Sequence, residues 1–284
     1  MNKVSLITGA SDGIGAASAR QLSKLGHRVL VTGRSREKTE AIARQTGATP
    51  FVADFSRLDD VRRLADEVRA ELGDAGLDVL ANNAGGLFGD RAKTVDGNEK
   101  TFQINHLAPF LLTHLLLDKL IVGAGASEGG RASVVNTSSI ANRLFGHIDL
   151  DDLNNDRKFS PNKAYGDAKL ANILFTRGLH ARFHAEGIST VAFHPGNVAT
   201  NFASDTTSIM RFLYQTPLKR LGLISAERGG SNLTFFVDGT PDVTWRSGQY
   251  YDQQKLSTKI NPQALDDALV DGLWVRSAAL VGLD

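Results

Sequence analysis

The chain contains no cysteine among its 284 residues, which excludes disulfide bonds and catalysis by a thiolate. An excess of charge of one sign is also missing, because 32 basic residues stand against 31 acidic residues and leave a net charge of +1. The sequence therefore gives no reason to expect a nucleic acid or a membrane surface as a partner. The lack of cysteine suits a reducing compartment, and we predict a cytoplasmic protein.

Long hydrophobic runs are missing as well. The most apolar stretch, Leu107–Leu117, is interrupted by Pro109 and His114 and is too short to cross a bilayer. The first apolar run begins at residue 4, which leaves no room for a signal peptide before it. These absences predict a soluble globular protein without a membrane span, and the length suffices for one large α/β domain.

The stretch from Val4 to Gly15 carries the first signal of function. Val4–Thr8 is a short run of apolar and β-branched residues, long enough for one buried strand and too short for a helix. Glycines follow at positions 9, 13 and 15, and the run Ala16–Leu25 favours a helix. Glycine lets a ligand approach the bare backbone, and the start of a helix attracts a pyrophosphate. The spacing predicts a dinucleotide-binding loop, and a glycine-rich turn without a ligand is the alternative.

Strand and helix patterns alternate along the whole chain. This alternation predicts an α/β protein with a Rossmann-type doubly wound parallel sheet and helices on both faces. No linker, repeat or change of composition divides the sequence, so we predict a single domain over residues 1–284. A long helix is expected at about Asn98–Leu120, followed by an exposed glycine-rich loop, Gly123–Gly130. The predicted strands are Val4–Thr8, Arg28–Thr32, Phe51–Ala53, Val79–Ala81, Ala132–Thr137, Thr190–Phe193 and Gln249–Tyr251.

Polar residues and glycines follow these strands at the points where each strand ends. In a parallel sheet the carboxyl ends of the strands share one edge, and ligands bind there. The residues at that edge are Gly9–Gly15, Arg34, Asp54, Asn82–Gly85, Ser138, Ser139 and Pro195–Thr200. Their common placement is stronger evidence for a binding site than any one of these motifs alone.

Taken in order, these motifs resemble those of the short-chain dehydrogenase/reductase family over nearly the whole chain. The motifs that carry the resemblance are Thr8–Gly15 (TGASDGIG), Asn82–Gly85 (NNAG), Asn105, Ser139, Tyr165-x-x-x-Lys169 and Pro195-Gly196-x-Val198-x-Thr200. The long gap between Ser139 and Tyr165, together with the sequence from Tyr165 to Arg177, is similar to the retinol dehydrogenase-like branch. Members of that branch often carry a hydrophobic N-terminal anchor, which we do not expect in this chain.

The resemblance implies a catalytic set of Asn105, Ser139, Tyr165 and Lys169. Tyr165 and Lys169 are four residues apart on a predicted helix and therefore share one face. A lysine cation one turn away favours the phenolate of a tyrosine, whose pKa is otherwise about 10. Tyr165 would exchange a proton with the substrate oxygen while a hydride moves to or from nicotinamide. Ser139, preferred to Ser138 because the family places the active hydroxyl second, would hydrogen-bond that oxygen.

The resemblance also implies a dinucleotide site that prefers NADP to NAD. Where a carboxylate would bind the ribose hydroxyls of NAD, this chain has Gly33 and Arg34, and a guanidinium fits a 2′-phosphate. Asp12 argues the other way, since many NADP-preferring relatives have a basic residue there. Asp54 would meet the adenine and Asn83 the adenosine ribose. The expected cofactor-binding residues are Gly9, Ser11, Asp12, Gly13, Ile14, Gly15, Arg34, Asp54, Phe55, Asn83, Ala84, Gly85, Tyr165, Lys169, Pro195, Gly196, Val198 and Thr200.

Asn105 and Pro109 are four residues apart in the predicted long helix. Proline has no N–H, so the carbonyl of Asn105 would lose its partner and the helix is expected to bend there. In the family, the matching asparagine holds a water that connects the catalytic lysine to solvent. We therefore predict that Pro109 helps to free this carbonyl for a proton path to Lys169. The alternative is a bend that only fits the helix around the sheet.

Two further clusters carry weaker signals. His180 and His184 are one helical turn apart, a spacing that suits a metal, but no glutamate stands between them where the motif needs it. We predict a solvated helix face and no metal. The apolar residues between Phe202 and Tyr214 lie where relatives place a substrate lid, within a substrate-binding segment at about residues 196–225. They favour an apolar substrate, with a small packing cluster as the alternative.

As a whole, the sequence predicts an NADP(H)-dependent oxidoreductase that interconverts an alcohol and a ketone or aldehyde. A non-catalytic regulator that senses NADP(H) is the alternative from another class, and the intact set of Ser139, Tyr165 and Lys169 argues against it. An epimerase or dehydratase of the extended branch would usually need a longer substrate domain than this tail offers. The identity of the substrate, the direction of the reaction and a homo-oligomeric state stay open.

Overall fold

A single sheet organises the molecule. The computed structural model describes residues 3–127, 129–197 and 224–283, and within them eight strands pair in the order β3-β2-β1-β4-β5-β6-β7-β8. Every neighbouring pair is parallel except β7 and β8. The strands are β1 Val4–Ile7, β2 Arg28–Gly33, β3 Thr49–Val52, β4 Val79–Asn82, β5 Ala132–Thr137, β6 Ile188–His194, β7 Gln249–Asp252 and β8 Lys255–Leu256.

Helices cover both faces of this sheet, which confirms the predicted Rossmann-type doubly wound fold. The helices are α1 Gly13–Lys24, α2 Arg36–Thr46, α3 Leu58–Leu72, α4 Lys100–Phe102, α5 Ala108–Leu115, α6 Leu117–Ala126, α7 Ala141–Leu144, α8 Pro161–Phe183, α9 Ala226–Asp238 and α10 Asp267–Leu280. A π-helical segment, Gln103–Leu107, precedes α5, and a 3-10 helix, Pro262–Leu265, precedes α10. The short elements α7 and β8 and the 3-10 helix were not predicted, because each is too short to show a periodic pattern.

The core lies on both sides of the sheet. Successive residues of a strand point to opposite faces, so Leu6 belongs to one buried cluster and Ile7 to the other. Leu80 and Ala81 of β4 divide in the same way. Because both faces of these strands are buried, consecutive residues are apolar. Their sequences are therefore continuous apolar runs without an alternating pattern.

The strand order reverses at β1. The chain runs outward from β1 to β2 and β3, and it then returns to the other side of β1 as β4. A cleft forms at such a switch point, because the loops that follow the two strands diverge to opposite faces of the sheet. The glycine loop after β1 and the Asn82–Gly85 motif after β4 therefore meet at this cleft.

The helix predicted at about Asn98–Leu120 is wrong as one continuous helix. The segment Gln103–Leu107 widens to π geometry, and the N–H of Ala108 donates to the carbonyl of Gln103 five residues earlier. Pro109 follows in the first turn of α5, and because proline has no N–H it cannot donate to the carbonyl of Asn105 four residues earlier, as predicted. A bend of 59° comes later, between α5 and α6.

Arg69 of α3 stabilises the break between α5 and α6. Its guanidinium donates two hydrogen bonds to the carbonyl of Leu115, at 2.9 and 2.5 Å. Helix α6 then continues past Gly123, so the predicted exposed loop Gly123–Gly130 is wrong at its start. Gly123 is buried, and a Cβ there would lie 2.3 Å from the carbonyl oxygen of Leu77. The helix packs so closely against the backbone before β4 that only glycine fits.

No single helix in the described ranges is long and apolar enough to cross a membrane. The bent pair formed by Lys100–Leu115 and Leu117–Ala126 reaches the length and composition of a span only when its two parts are taken together.

Candidate active site

The loop between β1 and α1 has no room for side chains at its first and last glycines. Gly9 has a φ of +64°, and a Cβ there would lie 2.7 Å from the Cα of Ala84. A Cβ on Gly15 would lie 2.4 Å from the carbonyl oxygen of Gly9. Gly13 also has a positive φ, of 56°. The loop is a bare backbone cradle, and it fits the pyrophosphate of a dinucleotide.

Thr8 and Asn83 fix this loop against the end of β4. The Thr8 hydroxyl accepts hydrogen bonds from the N–H groups of Asn83 and Ala84, both at 2.9 Å. The Asn83 amide donates to the carbonyls of Thr8 and Gly9, at 3.0 and 3.3 Å. The Asn83 side chain therefore shapes the glycine loop, and its place at the adenosine ribose stays a prediction. Thr8 opens the TGASDGIG motif but was not predicted as a site residue.

The start of α1 offers donors to an anion. Asp12 caps the helix, and its Oδ1 accepts the N–H of Gly13 at 2.8 Å. The N–H groups of Ile14 and Gly15 lie in the same first turn, where an α-helix has no internal acceptors for them. Lys38 of α2 pairs with Asp12 at 3.4 Å. Both side chains are more than half exposed, so the ion pair adds little stability. Lys38 nevertheless adds a cation, besides Arg34, to the region predicted to bind the adenosine of the cofactor.

Gly33 ends β2 next to this loop, and Arg34 follows it. A Cβ on Gly33 would lie 2.6 Å from the Cβ of Ser11 and 2.7 Å from the hydroxyl oxygen of Thr39, so the strand end touches the glycine loop directly. Arg34 is exposed and makes no hydrogen bond or ion pair with any other described residue. Its guanidinium is therefore available to a ligand at this corner.

Asp54 and Phe55 follow β3 at the same edge of the sheet. The half-buried Asp54 carboxylate accepts hydrogen bonds from the N–H and the hydroxyl of Ser56, at 2.9 and 2.8 Å. Phe55 is 5 % exposed and packs in the core. Phe55 can therefore offer a ligand only its backbone, whereas Asp54 keeps part of its carboxylate at the surface.

Helix α8 sets the spacing between Tyr165 and Lys169. Pro161 stands in its first turn, and the Ser160 side chain caps it by accepting the N–H of Lys163 at 3.1 Å. Tyr165 and Lys169 follow one turn apart, and both point into the protein, at 8 % and 2 % exposed. The helical period of 3.6 residues therefore places both side chains on the buried face of α8.

Lys169 lies inside the protein beside the Tyr165 ring. Its Nζ is 5.4 Å from the centre of that ring and donates to the carbonyl of Thr137 at 3.1 Å. Burial lowers the pKa of Lys169 from 10.5 to about 7, so the ammonium and the neutral amine are close in free energy near neutral pH. An ammonium has three donors, and the described residues accept only one of them. The other two fit the hydroxyl groups of a ribose.

Ser139 and Ser138 differ in what their hydroxyls contact. The Ser138 hydroxyl is buried and donates to the carbonyl of Lys169 at 2.7 Å. Ser139 is half-buried, and its hydroxyl oxygen accepts the N–H of Ala141 at 3.2 Å. Ala141 in turn packs against Tyr165. Because the Ser138 hydroxyl is committed to the backbone of α8, the geometry favours Ser139 as the group that contacts a substrate.

Asn105 connects the π segment to the loop after β4. Its amide donates to the carbonyls of Gly86 and Thr101, both at 2.8 Å, and its Oδ1 accepts the N–H of Gly86 at 3.1 Å. A Cβ on Gly85 would lie 2.3 Å from this Oδ1 and 3.2 Å from the Nζ of Lys169. The structure therefore brings Asn105, Gly85 and Lys169 together. A proton path from the Asn105 carbonyl stays a prediction.

Pro195 and Gly196 follow β6 at the same edge. The carbonyl of Pro195 accepts the amide of Asn232 from α9 at 3.0 Å. Gly196 has a φ of +94°, and a Cβ there would lie 2.6 Å from the Cδ1 of Ile224. The predicted positions that lie outside the described residues are Val198, Thr200 and the lid from Phe202 to Tyr214.

A buried chain of hydrogen bonds leads from Lys169 to the last helix. The Thr137 carbonyl that binds Lys169 also accepts the amide of Asn172 at 3.1 Å. The Oδ1 of Asn172 lies 3.4 Å from the Nδ1 of His106, and the His106 Nε2 lies 2.9 Å from the Ser277 hydroxyl. An amide oxygen only accepts, so Nδ1 carries the proton and Nε2 accepts from Ser277. These residues were not predicted, because no local pattern connects positions so far apart.

Acidification is expected to destabilise the fold through His106. Burial lowers its pKa from 6.5 to about 3, because the imidazolium cannot be solvated there. Above pH 6.5 the ring is neutral in both states, whereas between pH 6.5 and 3 the unfolded chain takes up a proton that the folded chain does not. The unfolding free energy therefore falls as the pH drops below 6.5, by about 2 kcal/mol at pH 5.

Urea unfolding at pH 7 and pH 5 measures this effect. The loss of stability between the two pH values should be smaller by about 2 kcal/mol in His106→Gln than in the wild type, because glutamine does not titrate. His147→Gln is the matched control, since His147 is exposed and its replacement should leave the pH dependence unchanged. Equal losses in the wild type and in His106→Gln would contradict the assignment.

His180 of α8 and His184, the residue that follows the helix, both contact neighbouring side chains. The His180 Nδ1 lies 2.9 Å from the hydroxyl of Ser247, and the His184 Nδ1 accepts from Arg131 at 3.2 Å. Both residues are half-buried, so the predicted solvated face is only partly open to solvent. No group of three histidines or carboxylates that suits a metal occurs among the residues with described positions.

The doubly wound sheet and the glycine cradle define a dinucleotide-binding protein, and its family and relatives make it an oxidoreductase that acts on CH–OH groups. The model for the short-chain dehydrogenase family matches residues 3–210 of the chain. The protein therefore belongs to the short-chain dehydrogenase/reductase family, as predicted from the motifs.

Similar proteins cover nearly the whole chain. DnrU of Streptomyces sp. (strain C5), named for a proposed daunorubicin C-13 ketoreductase activity, is 39 % identical over 284 residues, which cover 98 % of this chain and 92 % of that protein. Human retinol dehydrogenase 13 is 34 % identical over 295 residues, which cover 99 % of this chain and 85 % of that protein. The crystal structure of an uncharacterized protein from Mycobacterium paratuberculosis has 32 % identity and a TM-score of 0.75, with 99 % and 93 % of the two chains covered. The predicted retinol dehydrogenase-like resemblance is confirmed.

Proposed function

We propose that this protein is an NADP(H)-dependent oxidoreductase that interconverts an alcohol and a ketone or aldehyde, with Ser139, Tyr165 and Lys169 at the reacting centre. The observation that carries the proposal is the burial of Lys169 at 5.4 Å from the centre of the Tyr165 ring, at the carboxyl edge of a doubly wound sheet. Burial of a lysine ammonium with a single carbonyl as its partner destabilises a fold, so stability does not explain its presence. It is useful where its charge acts on a neighbouring phenol.

The bound dinucleotide supplies or accepts a hydride at its nicotinamide ring. Tyr165 donates its phenol proton to the substrate oxygen in the direction of reduction and takes a proton back in oxidation. Ser139 donates a hydrogen bond to the same oxygen and stabilises the charge that develops there. Lys169, when protonated, stabilises the tyrosinate and holds the ribose with the donors that Thr137 does not accept.

The preference for NADP(H) rests on the charges at the end of β2. Arg34 is exposed and has no partner among the described residues, and Gly33 stands where a carboxylate would bind the ribose of NAD. Asp12 would oppose a 2′-phosphate, but Lys38 lies 3.4 Å from it and offsets its charge. The two cations, Arg34 and Lys38, outnumber the one carboxylate, Asp12, and therefore favour a phosphate at the end of β2.

Arg34→Ala is expected to weaken NADPH binding by about 10–100-fold, the loss that corresponds to charge-assisted hydrogen bonds of about 1.5–3 kcal/mol. NADH binding should change little, because NADH has no 2′-phosphate. Fluorescence titration of the wild type and the variant with both cofactors measures the four dissociation constants. Arg36→Ala is the control, since Arg36 is exposed nearby but pairs with Glu40 at 3.4 Å. An equal loss for NADPH and NADH in Arg34→Ala would contradict the assignment.

A panel of ketones and aldehydes assayed with NADPH tests the reaction itself. Oxidation of NADPH that depends on a carbonyl compound supports the proposed oxidoreductase. Tight NADPH binding without turnover across the panel would favour the non-catalytic regulator. The apolar substrate depends on the lid segment outside the described residues, so it stays a prediction, as do the cytoplasmic location and a homo-oligomer.

A further inference from the structure

A polar cavity of about 490 Å³ lies beyond the carboxyl ends of β6 and β7. It begins next to the reacting centre, because Ile140 and Asn142 line it and Ala141, between them in the chain, packs against Tyr165. The Asn142 amide also donates to the carbonyl of Ser139 at 2.5 Å. Ser139 and Tyr165 do not line the cavity themselves, so a substrate whose oxygen meets them would have to extend past Ile140 and Asn142 to enter it.

The lining carries an excess of positive charge. Its cationic side chains are Arg143, Arg228, Lys255 and Lys259, and its one carboxylate is Asp252. None of the four cations has a hydrogen bond or an ion pair to another described residue, whereas most arginines elsewhere on the described surface pair with carboxylates, as Arg28 and Arg182 do. Uncompensated cations around a concave surface raise its potential and attract anions.

The inner wall of the cavity offers a neutral donor. Tyr250 is 5 % exposed, and its hydroxyl oxygen accepts the Asn142 amide at 3.2 Å. Burial and the nearby Asp252 raise the pKa of Tyr250 well above its usual value, so the phenol keeps its proton. That proton has no acceptor among the described residues and can be donated to an oxygen of a ligand.

We propose that this cavity binds a carboxylate carried by the substrate, which makes the substrate class an oxo acid and the corresponding hydroxy acid in place of a wholly apolar substrate. The volume suits an organic molecule more than a free anion, and the lining combines several cations with a phenol donor. Carboxylates are held best by such charge-assisted hydrogen bonds. The inference rests on the proposed function for its reaction, but the binding step can be measured without turnover.

Calorimetric titration of the NADP⁺-saturated protein tests the binding step. The probes are linear ω-oxo carboxylic acids of increasing chain length and their methyl esters, which have the same carbonyl group and lack the charge. At one or more chain lengths the acid should bind at least about tenfold more tightly than its ester, as expected for hydrogen bonds to a charged group. The double substitution Lys255→Glu and Lys259→Glu should remove this preference and leave the affinity of the ester unchanged.

Lys24→Glu is the matched control, because Lys24 is exposed in the last turn of α1, at the opposite edge of the sheet. It should keep the preference for the acid. Equal binding of acids and esters at every length, or a preference that survives the double substitution, would overturn the proposal. Turnover with NADPH distinguishes a failure of this inference from a failure of the proposed function. Reduction of the esters without a preference for the acids would support the proposed reaction and contradict carboxylate binding in the cavity. Tight binding of the acids without any turnover would support carboxylate binding and contradict the proposed reaction.

Discussion

Tyr165→Phe is expected to lower turnover by about 10²–10⁴-fold, the range typical of a lost general acid/base. The variant keeps the ring, which packs against Leu87 and Ala141, and removes only the hydroxyl. The fold and the dinucleotide site should therefore survive, and the dissociation constant for NADPH should stay close to that of the wild type. Steady-state kinetics with an active carbonyl compound and a fluorescence titration with NADPH measure the two quantities.

Tyr251→Phe is the matched control for this experiment. Tyr251 is also buried, and its hydroxyl oxygen accepts the N–H of Arg246 at 2.8 Å, but it packs in the cluster that contains Ile7. Its variant loses one structural hydrogen bond and should keep near-normal turnover. If Tyr165→Phe turned over as fast as Tyr251→Phe, the assignment of Tyr165 as the acid/base would be wrong.

Lys169→Met is expected to slow turnover by about 10²-fold and to shift the pH dependence of alcohol oxidation to higher pH. Two unit charges about 5 Å apart interact by about 3 kcal/mol at an effective dielectric constant of about 20, and a stabilisation of the tyrosinate of this order is lost in the variant. Without it the phenol pKa returns toward about 10. Rate profiles between pH 6 and 10 for both proteins measure the shift.

The fold should tolerate the loss of Lys169. The Thr137 carbonyl that binds Lys169 keeps the Asn172 amide as a donor, at 3.1 Å, so no buried acceptor is left without a partner. Lys158→Met makes the same change at an exposed lysine and should leave both the rate and the pH profile as in the wild type. A slower Lys169→Met with an unshifted profile would mean that Lys169 only binds the dinucleotide.

Seven of the eight strands in the described residues were predictable because their signal is local. A short apolar run followed by glycine or a polar residue indicates a buried parallel strand, and the predicted bounds agree with the structure to within about two residues at each end. The segment around Asn105 was not predictable in the same way. Its apolar pattern favours one long helix, but the structure has a π segment at Gln103–Leu107 and a break after Leu115, whose carbonyl binds Arg69.

The sequence by itself determined the class of fold, the family and the spacing of Tyr165 and Lys169, because strand periodicity, helix periodicity and short motifs depend only on neighbours in the chain. Only the tertiary structure decided that Ser138 is committed to the backbone of α8 while Ser139 is not. It also decided the low pKa of Lys169, which depends on what surrounds the side chain and not on what precedes it. The chain from Thr137 through Asn172 and His106 to Ser277 and the basic cavity after β7 join residues that lie far apart in the sequence. No local pattern records such contacts, since they form only when the strands pair and the helices pack across them.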